Sequence, residues 1–174
     1  VDGHLLRGAA GFGGEIGHIT VVPGGRPCGC GLRGCLERYS AGTALGVNAW
    51  ELAQFRPDYA ARIIELSGGN PEHISGKAVT AAAREGDPAA LECYKQLTHW
   101  LGVGLADMCA LLDPEVIVIA GGLAEAGDIL LAPTRKAFAE NLTAGTHRPT
   151  IPVVLAEGGQ EAGLVGAADL ARQP

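Results

Sequence analysis

Asp113-Pro114-Glu115-Val116-Ile117-Val118-Ile119-Ala120-Gly121-Gly122 is the stretch that decides the fold. Its centre, Val116 to Ala120, is an unbroken apolar run, rich in β-branched residues and too short for a helix. It predicts an interior strand that ends in a tight glycine turn. Upstream, Asp87-Pro88 has the form of a helix start: a capping carboxylate followed by a proline whose missing N–H costs nothing in the first turn. Leu91, Tyr94, Leu97, Leu101, Leu105, Met108 and Leu112 then recur at helical spacing, which predicts one long central helix with a buried stripe. Downstream, the pattern predicts a helix over 128–141 with Pro133 as a point of interruption, a strand from Ile151 to Leu155, and a last helix over 160–172. Strand, helix, strand, helix in this order implies an α/β layer with right-handed crossovers.

Working toward the N-terminus, residues 38–112 form a helical region. Ser40 is the expected N-cap of a helix carrying Ala44, Leu45, Val47, Trp50, Leu52 and Phe55, and shorter helices are expected over 58–67 and 77–85, the latter closed by Gly86. Residues 1–37 differ in kind. Glycine recurs there too often for a long helix, so short strands joined by functional loops are expected. Ile19-Thr20-Val21-Val22 reads as one strand, stopped by Pro23-Gly24-Gly25, and Val1 to Gly8 reads as another strand and turn entered partway.

The chain of 174 residues, 47% of them hydrophobic, is ample for a buried core. A net charge of −6 and a pI near 5.3 argue against a nucleic-acid or anionic-membrane surface, because no broad basic face would offset phosphate charge. A small-molecule partner is the expectation. With no apolar run long enough to span a bilayer and no signal-peptide pattern, a cytoplasmic setting is expected.

Three of the five cysteines, Cys28, Cys30 and Cys35, crowd into one glycine-rich stretch downstream of His18. One imidazole and three potential thiolates, separated by 10, 2 and 5 residues, are the ligand set of a closed tetrahedral zinc site. Gly29, Gly31 and Gly34 alternate with the ligands and let the backbone bend around them. Four protein ligands leave no open position, so the metal is expected to be structural: it orders a hydrophilic loop that buries little surface of its own. A redox pair at Cys28 and Cys30 would leave the third thiol and the His without a role.

Gly14-Glu15-Ile16-Gly17-His18, followed by Cys28-Gly29-Cys30-Gly31-Leu32-Arg33-Gly34-Cys35-Leu36-Glu37, resembles the signature of the ROK family, which groups bacterial sugar kinases with sugar-responsive repressors. The resemblance implies an actin-like ATPase (ribonuclease H-like) fold, with these residues forming mainly its C-terminal domain, including a helical insert and a zinc loop. Carried over by position, Glu15, His18 and Glu37 bind sugar hydroxyls while His18 also ligates zinc. An imidazole has two nitrogens, so one can hold a metal while the other addresses a hydroxyl. Gly121 and Gly122 are placed beside the nucleotide, and residues 113–174 on the nucleotide side. A glycine pair after a strand is by itself most often only a turn.

The leading expectation is therefore ATP-dependent phosphorylation of the glucose 6-hydroxyl, with ATP and Mg²⁺ bound by the full-length protein. No catalytic residue is assigned here: the phosphate loop and the Asp base are expected in an N-terminal domain upstream, so this chain alone is expected to be inactive. A kinase for another hexose or N-acetylhexosamine and a sugar-responsive repressor share the same motifs. The resemblance also implies a homodimer.

Overall fold

The computed structural model describes residues 5–172. Its elements are α1 (Glu37–Ser40), α2 (Gly42–Phe55), α3 (Ala61–Leu66), α4 (Gly76–Arg84), α5 (Pro88–Leu112), β1 (Ile117–Ile119), α6 (Asp128–Asn141), β2 (Val153–Leu155) and α7 (Ala162–Leu170). The chain is thus α/β and mostly helical. β1 and β2 pair in parallel, with Ile117 opposite Val153, Val118 opposite Val154 and Ile119 opposite Leu155, and α6 lies between them in sequence.

α5 is the spine. Its start follows the expected chemistry: the Asp87 carboxylate accepts the Ala90 N–H at 2.8 Å and Pro88 fills the first helical position. Asp113 ends it in a left-handed conformation, and its carboxylate pairs with Arg148. Leu45, Ile63, Val79, Tyr94, Leu97 and Leu130 are fully buried where α2, α3, α4 and α6 close on the first half of α5. Each such aliphatic side chain contributes about 1.5–3 kcal/mol of transfer free energy. A second cluster joins Leu105, Cys109, Phe138 and Val153 beneath the α/β segment.

Several expectations shift. The strand at 19–22 reduces to one bridge between Thr20 and Cys35, and the described part of residues 1–37 contains no regular strand, only bridges and turns; residues 1–4 lie outside the described residues. Short loops around closely spaced ligand candidates leave no length for a ladder. Ser40 does not cap α2: it ends α1, its hydroxyl donating back to the Leu36 carbonyl at 3.0 Å, and α2 begins at Gly42 with no side-chain cap.

The stripe on α5 is buried at Tyr94, Leu97 and Leu105, but Leu91 and Leu112 are exposed, since a 25-residue helix outruns the elements packed on it. The buried face passes instead through Ala90, Cys93, Gly102, Ala106 and Cys109. α6 runs through Pro133 without a break, because buried Leu130, Leu131, Thr134 and Phe138 pin the turns on either side against the ~3 kcal/mol that an interior proline costs. The helix at 58–67 shortens to α3, and that at 160–172 shortens to α7 after one 3-10 turn. α7 buries none of its described side chains. Among the described residues, no helix is long and apolar enough to cross a membrane.

Candidate metal centre and adjoining cleft

His18 ends a 3-10 turn, Ile16–His18, whose backbone closes through the His18 N–H on the Glu15 carbonyl. The cysteine loop folds back on itself: Cys28 N–H donates to the Leu32 carbonyl at 2.9 Å, Gly31 N–H to the Cys28 carbonyl at 3.1 Å, and Pro27 bridges Arg33. Leu36 N–H then donates to the Ile19 carbonyl, which fixes Cys35 against the segment that carries His18. Gly34 is required at its place, with φ of +84° and a position where a Cβ would lie 1.7 Å from the Val22 carbonyl oxygen.

These folds bring His18, Cys28, Cys30 and Cys35 together, with their candidate ligand atoms all within 4.8 Å of one another. Cys28 Sγ lies 3.6 Å from His18 Nδ1, and Cys30 Sγ lies 3.6 Å from Cys35 Sγ. A tetrahedral ion with Zn–S of about 2.3 Å and Zn–N of about 2.0–2.1 Å sets S···S edges of about 3.8 Å and S···N edges of about 3.6 Å. The donor set fits such an ion in chemistry, and the Cys28–His18 and Cys30–Cys35 separations are close to those edges.

At Cys28, a backbone N–H from Cys30 pulls the thiol down, while the Glu37 carboxylate, burial and the other two thiols push it further up, to about 12. Burial, then the Cys30 thiol, raises Cys35, whereas the Leu32 N–H lowers Cys30. Three thiols this close resist joint ionisation until a cation is placed among them, and a coordinated thiol gives up its proton outright.

Both carboxylates singled out in the sequence stand at the cluster's edge. Glu37, the first residue of α1, accepts the Cys28 thiol at 2.9 Å and lies 3.8 Å from His18 Nδ1; Glu15 lies 3.6 Å from His18 Nε2. The two imidazole nitrogens therefore face different ways, Nδ1 toward the thiols and Nε2 toward Glu15. Both carboxylates keep solvent access, which leaves them able to meet a polar ligand.

The glycine pair sits elsewhere. Gly121 turns the chain after β1 with φ of +81°, and Gly122 opens a 3-10 turn that lines a cleft of about 1200 Å³. Thr43, Val47 and Trp50 from α2 form a second wall, and Lys77, Thr80 and Arg84 from α4 a third. Trp50 is held by its indole N–H donating to Glu72 at 3.1 Å, and Arg84 donates to the Glu125 carbonyl at 2.7 Å. Sequence reading missed the α2 and α4 walls. Thr43, Gly46, Val47 and Trp50 do recur on one helical face, but that spacing is equally the mark of an ordinary core stripe.

The described residues thus form an α/β unit with a four-donor loop able to hold a metal ion, two accessible carboxylates beside it and a separate cleft. The family model for ROK matches residues 1–174, and the chain belongs to the ROK family. It is 44% identical to a glucokinase of Streptomyces coelicolor over 174 residues, covering all of this chain and 55% of that protein. The crystal structure of a ROK family glucokinase from Streptomyces griseus in complex with glucose and AMPPNP superposes with a TM-score of 0.92 at 45% identity, covering 98% of this chain and 55% of that one. A ROK family transcriptional regulator superposes with a TM-score of 0.64 at 33% identity, covering 88% of this chain and 37% of the regulator. The chain thus spans about half the length of the curated relatives it matches. The structural neighbours include ROK sugar kinases, which have the actin-like ATPase fold.

Proposed function

We propose that this chain is the sugar-binding, zinc-braced C-terminal part of a glucokinase-type kinase whose full-length form transfers the γ-phosphoryl group of ATP to the 6-hydroxyl of glucose. The observation that carries the reading is the split orientation of His18. Nδ1 faces the thiols of Cys28, Cys30 and Cys35, with which it would hold a structural Zn²⁺, while Nε2, beside Glu15, would be left for a sugar hydroxyl. Glu37 and Glu15 accept hydrogen bonds from neighbouring hydroxyls, and an analogue lacking one is rejected because a desolvated carboxylate would lose its partner. With four protein donors, Zn²⁺ bound there would fix the ring orientation of His18 and would leave no vacant position for Lewis-acid chemistry.

ATP occupies the cleft beside Gly122, with Lys77 and Arg84 supplying positive charge and Val47, Trp50 and Leu123 an apolar wall. The proton released by the sugar hydroxyl goes to a base outside this chain, and Mg²⁺ neutralises the phosphates there. The glucokinases at 44–45% identity support glucose as acceptor and ATP as donor. A cytoplasmic setting and a homodimer belong to the same reading through the family.

A coupled ADP-release assay of the full-length protein over a sugar panel tests this. Turnover should be highest with glucose, and no turnover with any hexose rejects the kinase reading. The regulator that superposes on this chain supports one alternative, a sugar-responsive repressor. A basic recognition helix upstream, in place of a phosphate loop, would decide for it.

A further inference from the structure

One side chain in the cysteine loop reaches across to α1 and α2. Arg26 lies two residues before Cys28, and its guanidinium side chain is only 19% exposed. It donates to the Asn48 side chain at 2.8 Å and to the Arg38 carbonyl at 3.1 Å through one nitrogen, and to the Glu51 carboxylate at 2.6 Å through another. Its main chain belongs to the ligand loop. The Gly34 N–H, next to Cys35, donates to the Arg26 carbonyl at 2.8 Å, and the Arg26 N–H donates to the Tyr39 hydroxyl at 2.7 Å. The Tyr39 ring lies under the guanidinium, 5.1 Å from its carbon.

Asn48 and Glu51 stand on one face of α2, and Val47 and Trp50, one residue earlier in each case, line the cleft. A helix turns about 100° per residue, so the two faces are adjacent on one rigid cylinder. A loop that a metal holds in place therefore fixes Arg26, Arg26 fixes the azimuth of α2, and α2 is a wall of the cleft. Asn48 is buried, so the guanidinium that satisfies it has no water to replace it.

We propose that Arg26 is a positioning residue that transmits metal occupancy of the loop to helix α2, and thereby sets how tightly the cleft holds a nucleotide. The second half rests on the reading of the cleft as the nucleotide site. The first half stands on contacts within this chain. Coupling of this kind is reciprocal, so nucleotide must tighten zinc by the factor by which zinc tightens nucleotide.

The test uses the full-length protein, zinc-loaded and zinc-stripped, with AMPPNP binding measured by calorimetry and amide exchange followed along α2. Zinc is expected to tighten AMPPNP about tenfold and to slow exchange across Leu45–Leu52. Arg26→Met should still take one zinc per chain, yet lose the effect, leaving a ratio of less than about twofold. Arg33→Met, which removes an exposed contact to the Gly24 carbonyl in the same loop, should keep the parental ratio. Should Arg26→Met fail to fold, Glu51→Ala, at a half-exposed position, should cut the ratio to about threefold. Parental coupling in Arg26→Met or Glu51→Ala overturns the proposal. If AMPPNP binds neither form, the nucleotide reading fails and exchange alone decides: no zinc-dependent slowing in α2 of the parent overturns the transmission as well.

Discussion

The cysteine loop and the helical body solve the same problem by opposite means. Around α5, order comes from apolar side chains: Leu45, Ile63, Val79 and Leu97 are fully removed from water. Residues 16–36 bury few such side chains, and Ile16 and Leu32 are exposed there. What holds this loop is a set of backbone turns, two isolated bridges, the Arg26 contacts and four clustered ligand atoms. The contrast teaches that a short glycine-rich loop can be as specific as a core, provided that a few strong interactions replace many weak ones.

The sharpest way to break the comparison is Cys35→Ala. It removes one of four candidate ligands from a fully buried position, and zinc stoichiometry measured by chelator competition should fall from one to near zero. On the proposed kinase reading, glucose turnover in the full-length protein should drop about 10–100-fold, in line with a loss of ligand orientation. The far-ultraviolet signal of the helices should persist, because burial of Leu45, Ile63, Val79 and Leu97 supplies most of the order around α5.

Leu97→Ala tests the other side. It deletes a fully buried side chain at the centre of the body and should cost about 2–5 kcal/mol of stability in denaturant titration. Zinc stoichiometry at temperatures below the transition should stay at one. Loss of zinc in this variant would show that the two regions are one cooperative unit.

The smallest effect is expected on the surface. Arg62 holds Glu85 through paired contacts of 2.7 and 2.9 Å, which depresses the Glu85 carboxyl below its ordinary value of 4.5. A depressed carboxyl contributes its stability above the unfolded value and loses it as pH falls through the folded one. Glu85→Gln should therefore leave the melting temperature nearly unchanged at neutral pH, with any difference from the parent vanishing in acid. A large change at neutral pH would mean that this exposed pair is not screened by solvent.

The four candidate ligands were legible in the sequence because donor type and close spacing need no knowledge of the fold. So was α5, since Asp87-Pro88 states its own start and the apolar recurrence states its length. β1 and its parallel partner β2 followed from short β-branched runs separated by a helix. The loop's lack of strands was not legible: Ile19 to Val22 has strand-like residues, but a ladder needs a partner, and only Cys35 answers Thr20.

Local chemistry is written residue by residue, so the sequence alone determined the donor set, the Asp87 cap of α5 and the glycine turns. Which imidazole nitrogen faces the thiols, the cleft between α2, α4 and the β1 turn, and the reach of Arg26 to residues 22 and 25 positions away were decided only by the tertiary structure. The physical reason is rotational. A helix presents each side chain at an azimuth fixed by what packs against its far side, and that packing is a property of the whole assembled core.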